Sequence, residues 1–181
     1  RAAASEEAPD TRLGAERDTG HILRLVGELA SKGGAAALPD EFRAILGERL
    51  AFVLKAAGPD VLALQELKTE AAGFPEELFR EAGYSAHVHG QKTWNGVALL
   101  SKTPAEDVVR NIPGFDDDMA RVISGTVGGV RVIGAYFPNG QEPGSDKFEY
   151  KMAWLKGLRD WVKAELVTHP NLVLMGDYNI T

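Results

Sequence analysis

The sequence predicts an α/β sandwich, and three observations carry that fold class. Val61-Leu62-Ala63-Leu64 and Leu172-Val173-Leu174-Met175 are short apolar runs bounded by turn signals, each placed after a helical pattern, as strands buried on both faces are. Gly128-Gly129 divides two strand-like stretches, from Arg121 to Val127 and from Val130 to Phe137, and so marks a hairpin. Apolar residues from Asp146 to Val167 recur at the spacing of a long amphipathic helix. Helices, buried strands and hairpins mixed in one chain point to a sandwich rather than to a simple doubly wound sheet.

The elements follow in order. Arg1 to Gly20 is rich in Ala, Glu, Arg and Gly, with the weak apolar periodicity of a solvated extension. Ile22, Leu23, Leu25, Val26 and Leu29 are spaced for a short helix, and Gly33-Gly34 with the alanines after them read as a linker. Residues 1–38 are therefore expected to be an N-terminal extension or atypical segment, and residues 39–181 the domain. Asp40 is placed to N-cap a helix carrying Phe42, Ile45, Leu46, Leu50, Val53 and Leu54, which Gly58-Pro59 ends. A second helix opens at Pro75 and closes at Gly83. Tyr84 to His89 and Val97 to Leu100 read as strands, and Val108 to Ile112 as a weaker one. The long helix carries Phe148, Met152, Leu155, Leu158, Val162 and Leu166, and Pro170 stops it.

Composition narrows the function classes. With 181 residues, 44% hydrophobic and 25% charged, the chain is of ordinary globular make-up and long enough for a core without staples. A cysteine count of 0 excludes disulfide scaffolds, thiolate zinc sites and cysteine nucleophiles, and fits a reducing compartment. Lys+Arg of 20 against Asp+Glu of 26 gives a net charge of −6. That balance disfavours a passive nucleic-acid coat protein, yet leaves room for metal-assisted phosphate chemistry, where the ion supplies positive charge locally. No apolar stretch approaches the roughly 18 residues of a membrane span, and no basic-then-apolar leader is visible, so a cytoplasmic protein with no membrane partner is expected.

Two polar clusters sit at the carboxyl ends of the apolar runs: Gln65-Glu66 after the first, Asp177 and Asn179 after the second. Open α/β sheets place ligand sites at such strand ends. Glu66 and Asp177 are oxygen donors suited to Mg²⁺ or Mn²⁺, which prefer carboxylates, waters and substrate phosphates. Asn179 lies two residues beyond Asp177, so an extended segment would put both side chains on one face. On single residues the alternative stays open that each acid merely caps a following turn.

Pro59 to Lys68, His89 to Lys102, Tyr136 to Gly140 and Gly176 to Asn179, taken together, resemble four segments of the exonuclease III family. Pro59-Asp60-Val61-Leu62-Ala63-Leu64-Gln65-Glu66-Leu67-Lys68 is similar to its PDVxxLQExK stretch. His89-Gly90-Gln91-Lys92 and then Asn95-Gly96-Val97-Ala98-Leu99-Leu100-Ser101-Lys102 resemble its HGQK and NGVALLSK stretches. Tyr136-Phe137-Pro138-Asn139-Gly140 resembles its YxPNG loop, and Gly176-Asp177-Tyr178-Asn179 its GDxN signature. Four segments in the right order are far more specific than any one alone. The family consists of magnesium-dependent DNA repair nucleases within the endonuclease/exonuclease/phosphatase superfamily. The resemblance implies a deoxyribonuclease I-like, four-layer α/β sandwich, incomplete here. It also implies Mg²⁺ or Mn²⁺ as cofactor, and double-stranded DNA with abasic sites or 3′ ends as partner of a monomeric enzyme in base excision repair.

It further implies roles for matched residues. Glu66 is expected as the metal-binding carboxylate, and Tyr136 as the tyrosine whose hydroxyl contacts the scissile phosphate. Asp177 is expected to handle the nucleophilic water or the leaving oxygen, and Asn179 to hold a phosphate oxygen. Asn139, in the loop after Tyr136, is expected to touch the phosphate. Lys68, Lys92 and Arg121 are expected to meet the nucleic-acid backbone, against the plain alternative of solvated loop and strand-edge charges. Two family features are missing: an asparagine-bearing first strand before the helix at Asp40, and a terminal SDH motif that holds the general base. A catalytically incomplete chain is therefore expected, and a phosphatase for lipid or nucleotide phosphates or a non-catalytic interaction module stand as alternatives.

The remaining polar and aromatic residues have simpler expectations. His87 and His89 alternate on one strand face, but a zinc pair lacks a third ligand nearby in sequence. His169 suits the end of the long helix, and Trp154 and Trp161 are expected to pack rather than to stack on bases.

Overall fold

The computed structural model describes Leu54 and residues 57–180. The segment 1–38 and nearly all of the helix expected from Asp40 lie outside the described residues. Leu54 and Ala57 are helical, with Leu54 buried, and the Gly58 amide donates to the Leu54 carbonyl at 2.7 Å to close that helix.

The chain then runs β1 (Val61–Leu64), α1 (Glu76–Glu81), β2 (Ser85–His89), β3 (Val97–Ser101), β4 (Glu106–Arg110), β5 (Val122–Val127), β6 (Val130–Tyr136), α2 (Asp146–Thr168) and β7 (Leu172–Asp177). The strands form two sheets, ordered β1-β3-β2 and β4-β5-β6-β7. All neighbours are antiparallel except β6 and β7, which run parallel because α2 is the crossover between them. The β5–β6 hairpin turns through Gly128 and Gly129 at φ 55° and 81°, a pair of positive angles that a tight hairpin turn asks for.

Alternation along the strands builds the layers. On β3, Ala98 and Leu100 face outward and pack with Leu64, Phe74, Phe79 and Tyr84, beneath α1. Val97 and Leu99 face inward and meet Ile123 and Val132 of the other sheet. On that second sheet Val122, Ile133 and Ala135 point the opposite way, onto Trp154, Leu158 and Trp161 of α2. The order of layers is thus helix, sheet, sheet, helix: the α/β sandwich predicted from the sequence. Gly134 on β6 lets the sheets approach closely, since a Cβ there would stand 3.1 Å from Ala63 Cβ on β1. Trp154 and Trp161 are core residues as expected.

Two expectations about burial are corrected. Leu172–Met175 is not a fully buried strand: β7 is paired on one side only among the described residues, and Val173 is 41% exposed. Val61, Leu62 and Ala63 of β1 are likewise only half-buried, at the edge of the three-stranded sheet. On α2 the core face is set by Trp154, Leu158 and Trp161, one turn or two apart, so Met152 and Leu166 turn to solvent. Buried Arg131 locks this helix to the sheet. Its Nε donates to Glu165 at 2.7 Å, Nη2 to Ser124 Oγ at 3.0 Å and Nη1 to the Asp107 carbonyl at 2.8 Å.

Gly176 is the tightest point of the β6–β7 pair. It has φ 138°, and a Cβ there would lie 1.9 Å from the Ala135 carbonyl oxygen. Backbone strain alone costs roughly 1–3 kcal/mol, and the clash adds to it. Gly176→Ala should therefore lower stability by about 3 kcal/mol, read as a fall in the urea midpoint. An unchanged midpoint would mean that the two strands separate at no cost.

Candidate active site

Loops from both sheets meet at one end of the sandwich around a cleft of about 530 Å³, lined by twelve residues that include Glu66, Lys68, Arg121, Tyr136 and Asn139. Glu66 and Lys68 lie just past β1. Both are in the left-handed backbone region, at φ 55° and 54°, which non-glycine residues seldom occupy. Leu67 between them is buried and anchors the turn. Its amide donates to the Gly96 carbonyl at 3.2 Å, and that of Lys68 to the Asn95 carbonyl at 2.9 Å. The segment before β3 thereby presses Leu67 inward and turns its two charged neighbours out into the cleft.

Tyr136, the last residue of β6, reaches across from the other sheet. Its hydroxyl donates to Glu66 Oε1 at 2.7 Å, while Lys68 Nζ pairs with Glu66 Oε2 at 3.0 Å. The Tyr136 hydroxyl first, then Lys68, holds the Glu66 carboxyl below the ordinary carboxylate range. Burial, reinforced by Glu66, pushes the Tyr136 phenol up to about 12. At neutral pH the pair is therefore a carboxylate and a neutral hydroxyl donor.

The parallel register sets Asp177 beside Tyr136, and the Phe137 amide donates to the Asp177 carbonyl at 2.9 Å. Asp177 is exposed at the end of β7. Asn179 is not extended, contrary to the sequence reading: it has φ 43°, because Asp177 Oδ1 accepts its amide at 3.0 Å and folds the segment into a turn. Its side-chain amide donates to the Phe137 carbonyl at 3.0 Å and lies 3.3 Å from Asp177 Oδ2, so it orients that carboxylate.

Arg121 is no solvated strand-edge charge. Its guanidinium lies 5.1 Å from the Tyr136 ring centre and 5.9 Å from that of Tyr150, and its buried Nε has no hydrogen-bond partner among the described residues. Asn139 is exposed on the cleft wall and accepts the Gln141 amide at 2.9 Å. Lys92, by contrast, is exposed on the loop before β3 and does not line the cleft. Among the described residues half-buried His89 has its Nε2 unpartnered and no third ligand joins it and His87, and burial holds its imidazole below the usual histidine range.

Trp94, Met119, Lys147 and Tyr150 also line the cleft and were not singled out from the sequence. Trp94 is 77% exposed, next to a matched Asn95-Gly96 pair, which is the signal that marks it. Met119 is seated by amides: Asn95 Nδ2 lies 3.2 Å from its sulfur, and Gln91 Nε2 3.5 Å. Tyr150 is reached only through the fold, since α2 brings it beside Arg121.

Glu66 is the carboxylate that lines the cleft, its oxygens meeting the Tyr136 hydroxyl and the Lys68 ammonium, and among the described residues no group of three or more His, Cys, Asp or Glu forms a cage. A lone carboxylate suits a hard divalent cation, which keeps most of its waters and takes one or two carboxylates plus substrate phosphate.

The family profile described as Endonuclease/Exonuclease/phosphatase matches residues 29–181. Exodeoxyribonuclease III of Haemophilus influenzae is 32% identical over 139 residues, covering 74% of this chain and 52% of that protein. A 3′-5′ exonuclease from Neisseria meningitidis is similar in structure, with a TM-score of 0.70 and 42% identity over 74% of this chain and 52% of that one. A 3′ phosphatase from Neisseria, bound to a product DNA hairpin, gives 0.71 and 41% over the same shares. An AP endonuclease from Archaeoglobus fulgidus gives 0.67 and 33%, over 72% of this chain and 51% of that one. The chain thus spans about half the length of the relatives it matches.

The coupling of Glu66 and Tyr136 is testable without substrate. A carboxylate that accepts from a phenol favours the neutral phenol, so Glu66→Gln should lower the Tyr136 pKa from about 12 towards 10.0, with burial keeping it above that value. Alkaline ultraviolet difference titration, with Tyr136→Phe as the blank, reads the shift. An unmoved titration would remove the contact from the site.

Proposed function

The chain belongs to the endonuclease/exonuclease/phosphatase family, and we propose that its cleft is the phosphodiester site of an exonuclease III-like nuclease acting on DNA with Mg²⁺ or Mn²⁺. The observation that carries this reading is the Tyr136–Glu66 hydrogen bond, which joins a carboxylate and a neutral donor above a cleft that also holds Lys68 and Arg121. Glu66 would hold the cation, with Lys68 giving up its ion pair as the ion arrives. The cation's part is to neutralise phosphate charge and to lower the pKa of a water. Once a cation takes Glu66, Tyr136 would turn its hydroxyl hydrogen bond from that carboxylate to a phosphate oxygen, and burial keeps the phenol protonated. Arg121 and Lys68 offset the charge of the incoming anion, and Asn139 adds a polar contact at the mouth. Asp177, beside Tyr136 in the parallel register and oriented by Asn179, would accept a proton from water or support the departing oxygen.

A second reading uses the same cleft on a terminal phosphate of DNA, and the likeness to the Neisseria 3′ phosphatase favours it. Both readings call for the same groups around phosphorus and differ in whether a second nucleotide occupies the cleft.

Among the described residues no histidine lines the cleft. Within the described residues the cleft would thus supply anion and cation contacts without a histidine base, and lacking a general base costs roughly 10²–10⁴-fold in rate. Single-turnover assays on an abasic duplex and on a 3′-phosphate hairpin, with Mg²⁺ and with EDTA, test both readings. We expect slow cleavage that EDTA abolishes, and loss of that activity together with weaker Mg²⁺ binding in Glu66→Gln. Asp177→Asn should lose at least tenfold in rate while binding DNA as well or better, because the carboxylate repels the ground-state phosphate. Equal losses in rate and binding would make Asp177 merely structural.

Binding itself has an optical signal. Of the 3 tryptophans, Trp154 and Trp161 are buried and Trp94 is 77% exposed in the cleft. A base stacking on that ring should quench the exposed component of the emission and shield it from iodide, and Trp94→Phe should abolish the change. Emission that DNA leaves unaltered would exclude Trp94 from the contact.

A further inference from the structure

We propose that Tyr150 and Asp117 are a positioning pair that presents the Arg121 guanidinium to a phosphate group in the cleft, a proposal that rests on the phosphodiester reading above. Arg121 precedes β5, at the end of a loop that carries Asp117, and its main chain is fixed from the near side: its amide lies 3.3 Å from Asn111 Oδ1, while Asn111 Nδ2 donates to the Asp117 carbonyl at 2.9 Å. Its side chain is fixed from the far side by aromatic faces. The guanidinium lies 5.1 Å from the Tyr136 ring centre and 5.9 Å from the Tyr150 ring centre, distances at which a cation is attracted to the ring.

Tyr150 comes from α2, where its ring packs against the core between helix and sheet and its hydroxyl donates to Asp117 Oδ2 at 2.9 Å. Burial and then Asp117 keep the phenol well above the ordinary tyrosine range, so this donor persists at every working pH. The other carboxylate oxygen accepts the Met119 amide at 2.9 Å. Asp117 thus spends both oxygens on neutral donors and makes no ion pair with Arg121 among the described residues.

A simple clamp between helix and loop would explain the tyrosine bond but not the state of the arginine. Among the described residues its buried Nε–H has no acceptor, and its Nη1 has only a long contact of 3.4 Å to the Tyr136 carbonyl. A guanidinium held between rings with donors unspent is prepared for an anion with several acceptor oxygens. Tyr150 and Asp117 act through Arg121 and touch no phosphate themselves.

The test uses the 181-residue chain and two readouts. Nitrogen-15 NMR of arginine Nε–H groups, with the Arg121 signal assigned by its loss in Arg121→Ala, measures how well the guanidinium is held. Tyr150→Phe, which keeps the ring, and Asp117→Ala should each speed exchange of that proton with water by about tenfold. Asp117→Asn, which retains an acceptor for the phenol, should stay near the parent. The second readout is the salt dependence of binding to a fluorescein-labelled duplex with a 3′ phosphate. One lost phosphate contact lowers the slope of log K against log salt by about 0.9. Tyr150→Phe should approach the slope of Arg121→Ala, and the double variant should fall no further. Unchanged exchange in both Tyr150→Phe and Asp117→Ala overturns the positioning pair. So does a parental slope in Tyr150→Phe when Arg121→Ala has lost its contact. A slope that Arg121→Ala itself leaves unaltered overturns the phosphodiester reading along with the pair, which separates the two failures.

Discussion

The hydrogen bond from Tyr136 to Glu66 joins the two sheets at the mouth of the sandwich, and the rest of the site depends on it. It forms only because the sheets approach closely and in register. Gly134 leaves room for Ala63, and the shared interior of Val97, Leu99, Ile123 and Val132 fixes the sheets' relative height. The end of β6 therefore arrives opposite the turn after β1. A carboxylate in this position would otherwise repel an incoming phosphate. With the phenol on one oxygen and Lys68 on the other, its charge is held within a local polar cluster and stays low in pKa.

Holding such a cluster costs backbone strain, and the strain is concentrated where side chains are aimed. Glu66, Lys68 and Asn179 all have positive φ without being glycine, which costs on the order of 1–3 kcal/mol each. Local contacts offset it. Leu67 is buried against Gly96, where a Cβ would stand 2.9 Å from that of Leu67. Asn179 is held by Asp177, by the Phe137 carbonyl and by Lys151, whose Nζ donates to the Asn179 carbonyl at 2.6 Å. Positive φ at Glu66 and Lys68, on either side of anchored Leu67, turns two charged groups from three consecutive positions into the cleft.

Much of this was legible in the sequence, for identifiable reasons. Strand ends, the Gly128-Gly129 turn and the helix at Asp146 announced themselves through local chemistry, and Glu66 and Tyr136 stood in segments that resemble a known family. Burial of β7 and the core face of α2 were misread because both depend on which neighbours cover them. An apolar run at a sheet edge looks like one at its centre, and the tryptophans outweigh Met152 and Leu166 in choosing the helix face. Tyr150 and Asp117 carry no local signal at all, since their bond joins residues 33 positions apart. Asn179 was placed on the same face as Asp177 by assuming an extended chain, whereas the aspartate's own hydrogen bond to the next-but-one amide bends it.

Local charge explains how an acidic chain could present a cleft open to an anion. The net charge is −6, yet the cleft gathers Lys68, Arg121 and Lys147 and balances them among its lining residues with the single carboxylate of Glu66. Surface acids elsewhere are screened over about 10 Å at ordinary ionic strength, so the local set governs what enters. Of the three cations only Lys68 is neutralised by a carboxylate within the cleft, and that is the carboxylate a divalent ion would claim. Arrival of such an ion at Glu66 would release Lys68 and raise the positive charge facing a phosphate. Cation and substrate would then favour each other's binding, a coupling that follows from one shared carboxylate rather than from any movement of the sheets.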